Sequence, residues 1–295
     1  MTGRIVPGVR LHDVAGDTLE EKVQNAAELG FKCVHLASKL LCKSWDTDIF
    51  GLTDERAKHL KDLFAKEGLT VTVFGCYKNL LEPDLEKREG ILRQYEASGR
   101  FARVLGASVV GTECGRPDPK NQITEARTTD EALHELAREV KRAAALVEDE
   151  GSRLAIEPGW NEAASTPERA RKVLDEAGDP AVSVILDPVS LLHPTMLEDA
   201  AVQSERELAL LGERISVLHA KDFRVIGNEE KAGWCDGSGS RLECYGAGVT
   251  GSFDYAPFVR WAKGTGRSIP CIVENGTPET FKISLAYLAR LQETA

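Results

Sequence analysis

The chain has 295 residues, 42% of them hydrophobic, and 37 Lys and Arg against 47 Asp and Glu give a net charge of −10. That apolar fraction excludes a largely disordered chain, and the acidic balance disfavours a nucleic-acid partner, whose phosphates need a basic face. It suits a soluble enzyme acting on neutral or cationic small molecules.

Strand candidates and amphipathic helices then alternate along the chain. A first strand at 4–9 precedes a helix over 17–29, apolar at Leu19, Val23, Ala26, Ala27 and Leu29 and stopped by Gly30. The second strand, 32–37, is followed by a helix that Thr53 opens and Gly68 ends; the third, 70–75, by a helix from Pro83 and Asp84 to Gly106. After a strand at 107–112, Thr128-Thr-Asp-Glu131 reads as a capping box for a helix running to Gly151. A strand at 153–157 leads to Thr166-Pro167, a cap residue before a proline in the first helical turn, and Gly178 closes that helix. Strands at 182–187, 214–219 and 269–274 complete the set, with helices over 197–211, 254–264 and 280–292. Parallel neighbours need helical crossovers, and eight strand–helix units favour closure. The expected fold class is α/β, a single (β/α)8 TIM barrel spanning 1–295 as one domain, since such barrels commonly run about 250 residues.

The rhythm breaks between Asp222 and Ser252, a Gly-rich excursion after the seventh strand. Phe223-Arg-Val-Ile226 and Arg241-Leu-Glu-Cys-Tyr245 flank the polar run Gly227-Asn-Glu-Glu-Lys231, so a hairpin is expected. Long ordered loops on barrels serve as lids or binding elements, or as plain surface insertions. The seven cysteines include no Cys-x-x-Cys pair, and the N-terminal segment has no apolar signal core. No stretch approaches the roughly 20 apolar residues of a membrane span. A reducing, cytoplasmic setting is therefore expected, with no membrane contact.

Strands five to eight share a further property. Leu154-Ala-Ile-Glu157, Val184-Ile-Leu-Asp187, Ser216-Val-Leu-His219 and Cys271-Ile-Val-Glu274 are apolar runs that each stop on a metal-competent side chain. In a parallel barrel these ends converge on one point at the carboxyl face. Like charges a few ångströms apart cannot all stay ionised, and a divalent cation resolves the conflict. Three carboxylates and an imidazole are mostly hard donors, suited to Mn²⁺ or Mg²⁺ first and to Co²⁺ or Zn²⁺ after them.

The chain resembles the xylose isomerase-like barrels, the sugar isomerase and epimerase superfamily. The resemblance is carried by Leu154-Ala-Ile-Glu-Pro158, Ile185-Leu-Asp-Pro-Val-Ser-Leu-Leu192, Leu218-His-Ala-Lys-Asp-Phe223, Tyr245-Gly-Ala-Gly-Val-Thr-Gly-Ser-Phe-Asp254 and Ile272-Val-Glu274. It implies a (β/α)8 barrel in which Glu157, Asp187, His219 and Glu274 hold one divalent metal, with Glu157 and Glu274 also forming the acid–base pair. It implies a carbohydrate substrate, and relatives that often dimerise or tetramerise make a homo-oligomer an expectation. Many ketose epimerases of the family carry a His three residues after the strand-six Asp; here that position is Ser190. The strand-five Glu is followed by Pro158-Gly-Trp160 where Asn is more usual.

The expected chemistry runs through an enediolate, formed when one glutamate takes a proton beside a metal-polarised carbonyl and the other returns one. Return to the same carbon epimerises and return to the adjacent carbon isomerises. Loss of a β-hydroxyl or β-alkoxy group makes the enzyme a lyase or dehydratase. A barrel endonuclease of abasic DNA is opposed by the charge and by only six His. A non-catalytic sugar-binding or partner subunit is opposed by the intact acid–base pair. Lys221, two residues beyond His219, either neutralises an enediolate oxygen or pairs with Asp222 or Asp187. His35 and Glu113 at strand ends, Trp160 with Trp45 as apolar walls, and His193 are the substrate-binding candidates, each with a packing or capping role as its alternative. His12 and Arg10, at the end of strand one, could line the mouth. No phosphate-binding Gly-x-x-x-x-Gly-Lys-[Ser/Thr] motif occurs, which favours an unphosphorylated substrate.

Overall fold

The protein was analysed as a computed structural model, which describes residues 2–195, 197–227 and 240–295. Its strands are β1 (Arg4–Arg10), β2 (Cys33–Ala37), β3 (Thr70–Gly75), β4 (Val109–Glu113), β5 (Leu154–Glu157), β6 (Ser183–Leu186), β7 (Ile215–Gly227), β8 (Ser240–Gly246) and β9 (Ser268–Val273). Parallel pairing runs in sequence from β1 to β7, then from β7 to β9 and from β9 back to β1. The result is a closed eight-stranded parallel barrel with helices between its strands. β8 lies outside the ring and pairs antiparallel with β7, from Lys221 opposite Gly246 to Gly227 opposite Ser240.

Local chemistry explains the helix ends. Thr18 caps the helix Leu19–Leu29 in a reciprocal capping box with Glu21, and Gly30 closes it at φ 103°. Thr166 and Pro167 start Pro167–Ala177 as expected from the sequence. The box read at Thr128-Thr-Asp-Glu131 is displaced: Thr129 is the cap, bonding Ala132 N–H, because Thr128 is absorbed in a 3-10 turn over Glu125–Thr128. Two short helices, Ser38–Ser44 after β2 and Pro188–Leu191 after β6, add to the sequence reading. Strand seven runs eight residues past its expected end at 219, because pairing with β8 extends it. The excursion is thus a hairpin; its polar run over 228–231 lies outside the described residues.

Burial separates two apolar layers. The larger core fills the space between strands and helices. Inside the barrel, Cys33, Val73, Val109, Ala155, Ile185, Val217 and Ile272 pack together with Val6, one side chain from each barrel strand. The barrel centre is therefore a solid plug, and polar chemistry is confined to the space above it.

Asp222 ties the hairpin's return to the barrel. This buried carboxylate accepts backbone N–H groups of Phe223, Ser252 and Phe253 on Oδ1, at 2.9, 3.1 and 3.2 Å, and of Thr250 and Gly251 on Oδ2, at 2.9 and 2.7 Å. In Asp222→Asn an amide NH₂ faces two of these donors and leaves them unpaired. The variant should lose about 2–4 kcal/mol of stability, read as a lower denaturant midpoint. An unchanged midpoint would show that the turn is held by other contacts.

Candidate active site

Side chains alternate along a strand, so residues two positions beyond the plug point the same way and form the next layer. That layer comprises Gly8, His35, Gly75, Gly111, Glu157, Asp187, His219 and Glu274. Three positions of the ring are glycine and five are ionisable. Gly75 is required by close approach: a Cβ there would lie 2.6 Å from His35 Nε2 and 2.9 Å from the Tyr77 ring.

The strand-end quartet comes together. His219 Nδ1 lies 3.1 Å from Glu157 Oε1 and 3.3 Å from Glu274 Oε1. Donor atoms of Glu157, Asp187 and His219 fall within 4.8 Å of one another, as do those of His35, His219 and Glu274. Asp187 and His219 are wholly buried and Glu274 nearly so. Asp187 Oδ1 caps the short helix after β6 by accepting Ser190 N–H at 2.9 Å. Its Oδ2 meets Lys221 Nζ at 2.6 Å as an ion pair, without the alignment of a hydrogen bond. Lys221 Nζ also donates to Ser190 Oγ at 2.7 Å and stands 3.8 Å from Glu274 Oε2. Of the roles read for Lys221, the pairing with Asp187 is present, and the side chain also lines the cavity.

The two glutamates have different companions. Glu274 Oε2 lies 3.2 Å from Arg10 Nη1, and Arg10 is itself held by Asp13 through Nε at 2.9 Å. Asp13 Oδ2 accepts Asn275 N–H at 2.8 Å, which fixes the backbone next to Glu274. Glu157 Oε2 instead accepts a short hydrogen bond from the Tyr77 hydroxyl. Tyr77 stacks on His35 at 5.3 Å, and His35 stacks on His219 at 5.2 Å.

Charge sets the protonation states. Burial opposes an imidazolium at His219, but Glu157, Glu274 and Asp187 outweigh it and raise its pKa to about 9. Burial alone would raise Glu274; the cations of His219, Arg10 and Lys221 hold it below the usual carboxylate range. Glu157 is likewise lowered, its desolvation overcome by His219. For Asp187 desolvation prevails over Lys221, and its pKa is raised. Burial, reinforced by His219, pushes His35 down to about 3, so that it is neutral near pH 7.

A divalent metal fits this donor set on structural grounds. Among the described residues, His219 Nε2 and both ring nitrogens of His35 are buried without a hydrogen-bond partner, while Asp187 Oδ2 has the Lys221 ammonium as its ion-pair partner. Each such orphan costs roughly 1–3 kcal/mol unless something satisfies it.

Above the cluster opens a cavity of about 1030 Å³. It is lined by Glu157, Glu274, Lys221 and Ser190, and by Arg10, His12 and Tyr77. Glu113 and His35, both read from the sequence as substrate-binding candidates, line it. Trp160 and His193 are not among the lining residues; they pack edge to face against each other at 5.0 Å. Trp45 stands beneath the Arg56 guanidinium at 4.9 Å and packs on the core. No described residue of the excursion lines the cavity. Two wall residues escape sequence reasoning. Tyr77, at φ 43°, sits two positions past the end of β3, a location that is its one available signal. Glu162 accepts Cys114 N–H at 2.6 Å, and burial together with Glu113 raises its pKa well above the usual range.

No curated protein sequence matches the chain. Among solved structures, a xylose isomerase-like TIM barrel/4-hydroxyphenylpyruvate dioxygenase fusion protein shares 17% identity at a TM-score of 0.70; the match covers 98% of this chain and 43% of that one. The probable 3-DHS dehydratase involved in petrobactin synthesis from Bacillus anthracis shares 16% identity at a TM-score of 0.70, covering 96% of this chain and 98% of that one. The 3-keto-D-glucoside 4-epimerase of E. coli, in its apo form, shares 16% identity at a TM-score of 0.68, covering 98% of this chain and 99% of that one. At such identities the likeness shows the fold. Residues 23–291 match the family described as xylose isomerase-like TIM barrel, and the chain belongs to that family.

Proposed function

We propose that this chain is a divalent-metal-dependent enzyme that moves a proton on a carbon beside a carbonyl, acting as a sugar isomerase or epimerase. The observation that carries the reading is the meeting of Glu157 and Glu274 on one imidazole nitrogen, at 3.1 and 3.3 Å, beneath an open cavity. β5 and β9 are separated by β6 and β7 around the ring, so the two carboxylates reach the substrate from different sides. That is the placement a two-base proton transfer requires.

Glu157, Asp187, His219 and Glu274 would hold the metal, and three carboxylates with one imidazole suit Mn²⁺ or Mg²⁺. When bound, such an ion supplies Lewis-acid polarisation of a substrate carbonyl. The remaining work belongs to the chain. Arg10 and Lys221 keep Glu274 anionic, ready to accept a proton. Tyr77 holds the Glu157 carboxylate by one oxygen and leaves the other on His219. Lys221 remains cationic, because Asp187 and Glu274 outweigh its desolvation, and it faces negative charge that develops on substrate oxygen. The same ammonium favours a second reading, elimination of a β-hydroxyl, since it can stabilise a departing oxyanion. The solved neighbours include both an epimerase and a probable dehydratase.

Glu274→Gln should keep the fold and slow exchange of the reacting substrate proton with solvent by roughly 10²–10⁴. Proton NMR in D₂O across a panel of ketoses, aldoses and oxo-glycosides, with metal content measured in parallel, checks this. Undiminished exchange would remove Glu274 from the mechanism. An unsaturated product would select the elimination reading.

Metal uptake should also be pH-dependent. Without metal, His219 carries a proton up to about pH 9, and a metal ligand must be neutral. Below that value His219 would have to give up its proton to serve as a ligand. Apparent Mn²⁺ affinity should therefore rise roughly tenfold per pH unit until about pH 9 and then level off. Calorimetric titrations at several pH values test it, and a flat profile between about pH 6 and 8 would exclude His219 as the ligand that loses a proton.

A further inference from the structure

The cavity is larger and more polarised than a simple sugar needs. Its 1030 Å³ stands at the top of the roughly 300–1,000 Å³ range that encloses drug-sized ligands, and a monosaccharide is much smaller than those. Besides the glutamates, the cavity is lined by residues that follow β2 and β3 in the chain, which form its outer wing. There the walls include Lys39 of the helix Ser38–Ser44, Lys78 just past β3, and Phe50, which is 52% exposed.

The cations of the cavity differ in their pairing. Around Glu157 and Glu274, Arg10 and Lys221 are already ion-paired with carboxylates. In the outer wing the ammonium groups of Lys39 and Lys78 have no hydrogen bond or ion pair among the described residues. The wing's carboxylate, Asp48, is turned to its own backbone and accepts the N–H groups of Phe50 and Gly51 at 3.0 and 3.1 Å. A cavity wing with two unpaired cations is unexpected on a protein of net charge −10. Such charges recognise an anion, and a recess raises the local field they create.

We infer that the substrate is an anionic sugar derivative, whose carbonyl end sits at Glu157 and Glu274 while a carboxylate or phosphate at its far end is held by Lys39 and Lys78 beside Phe50. This rests on the carbohydrate reading above and gives it a substrate class. Lys39 and Lys78 are then specificity residues, remote from the reacting carbon.

The test uses full-length protein freed of metal by chelation and dialysis, so that no anion binds through an ion. Glucose, glucuronate and glucose 6-phosphate are titrated calorimetrically into wild type and into the double variant K39A/K78A. At low ionic strength one or both anionic sugars should bind roughly tenfold tighter than glucose, and the advantage should shrink at high salt. The double variant should lose the advantage while its thermal midpoint stays put, since both lysines are exposed. Whichever anion leads identifies the carboxylate or the phosphate as the terminal group. Neither anion binding tighter than glucose, or a preference that survives in K39A/K78A, overturns the inference. Proton exchange and metal content report separately on the isomerase reading, so either proposal can fall while the other stands.

Discussion

The mouth of this barrel is governed by the problem of burying three carboxylates side by side. Charges in a low-dielectric pocket repel strongly unless each is compensated. Without metal the compensation comes from three cations: His219 between the glutamates, Lys221 on Asp187 and Arg10 on Glu274. This balance sets the ionisation of the groups in the cluster. It also separates the two glutamates chemically, since one is clamped by a guanidinium and the other by a phenol.

The barrel supplies the geometry for that balance through strand periodicity. An apolar plug contributed by all eight barrel strands forces the next layer upward into the mouth. On β1, β3 and β4 that layer is glycine, and on β5, β6, β7 and β9 it is acid or imidazole. Space therefore lies on one side of the ring and chemistry on the other. His35 and Tyr77 reach across the open side and stack toward His219.

Much of this is legible in the sequence, for a physical reason. A buried parallel strand is a short apolar run, so a charged residue that ends it must sit at the strand's carboxyl edge; Glu157, Asp187, His219 and Glu274 all announce themselves so. The walls are harder to read. Tyr77 lies in a connection, where no periodicity says which way a side chain points, and its contact with Glu157 joins residues 80 positions apart. Trp160 and His193 look like rim aromatics in sequence yet are spent on each other. Asp222 reads as a salt-bridge partner for Lys221, whereas alternation sends it to the opposite side, where backbone amides surround it.

That alternation gives β7 an unusual role, because one uninterrupted strand carries His219, Lys221, Asp222 and the outer hairpin. Adding a single residue between Ala220 and Lys221 would exchange the facing of lysine and aspartate together, losing a cation in the mouth and the anchor outside it. Lengthening the excursion beyond Phe223 would instead extend the ladder with β8 without turning any group at the mouth.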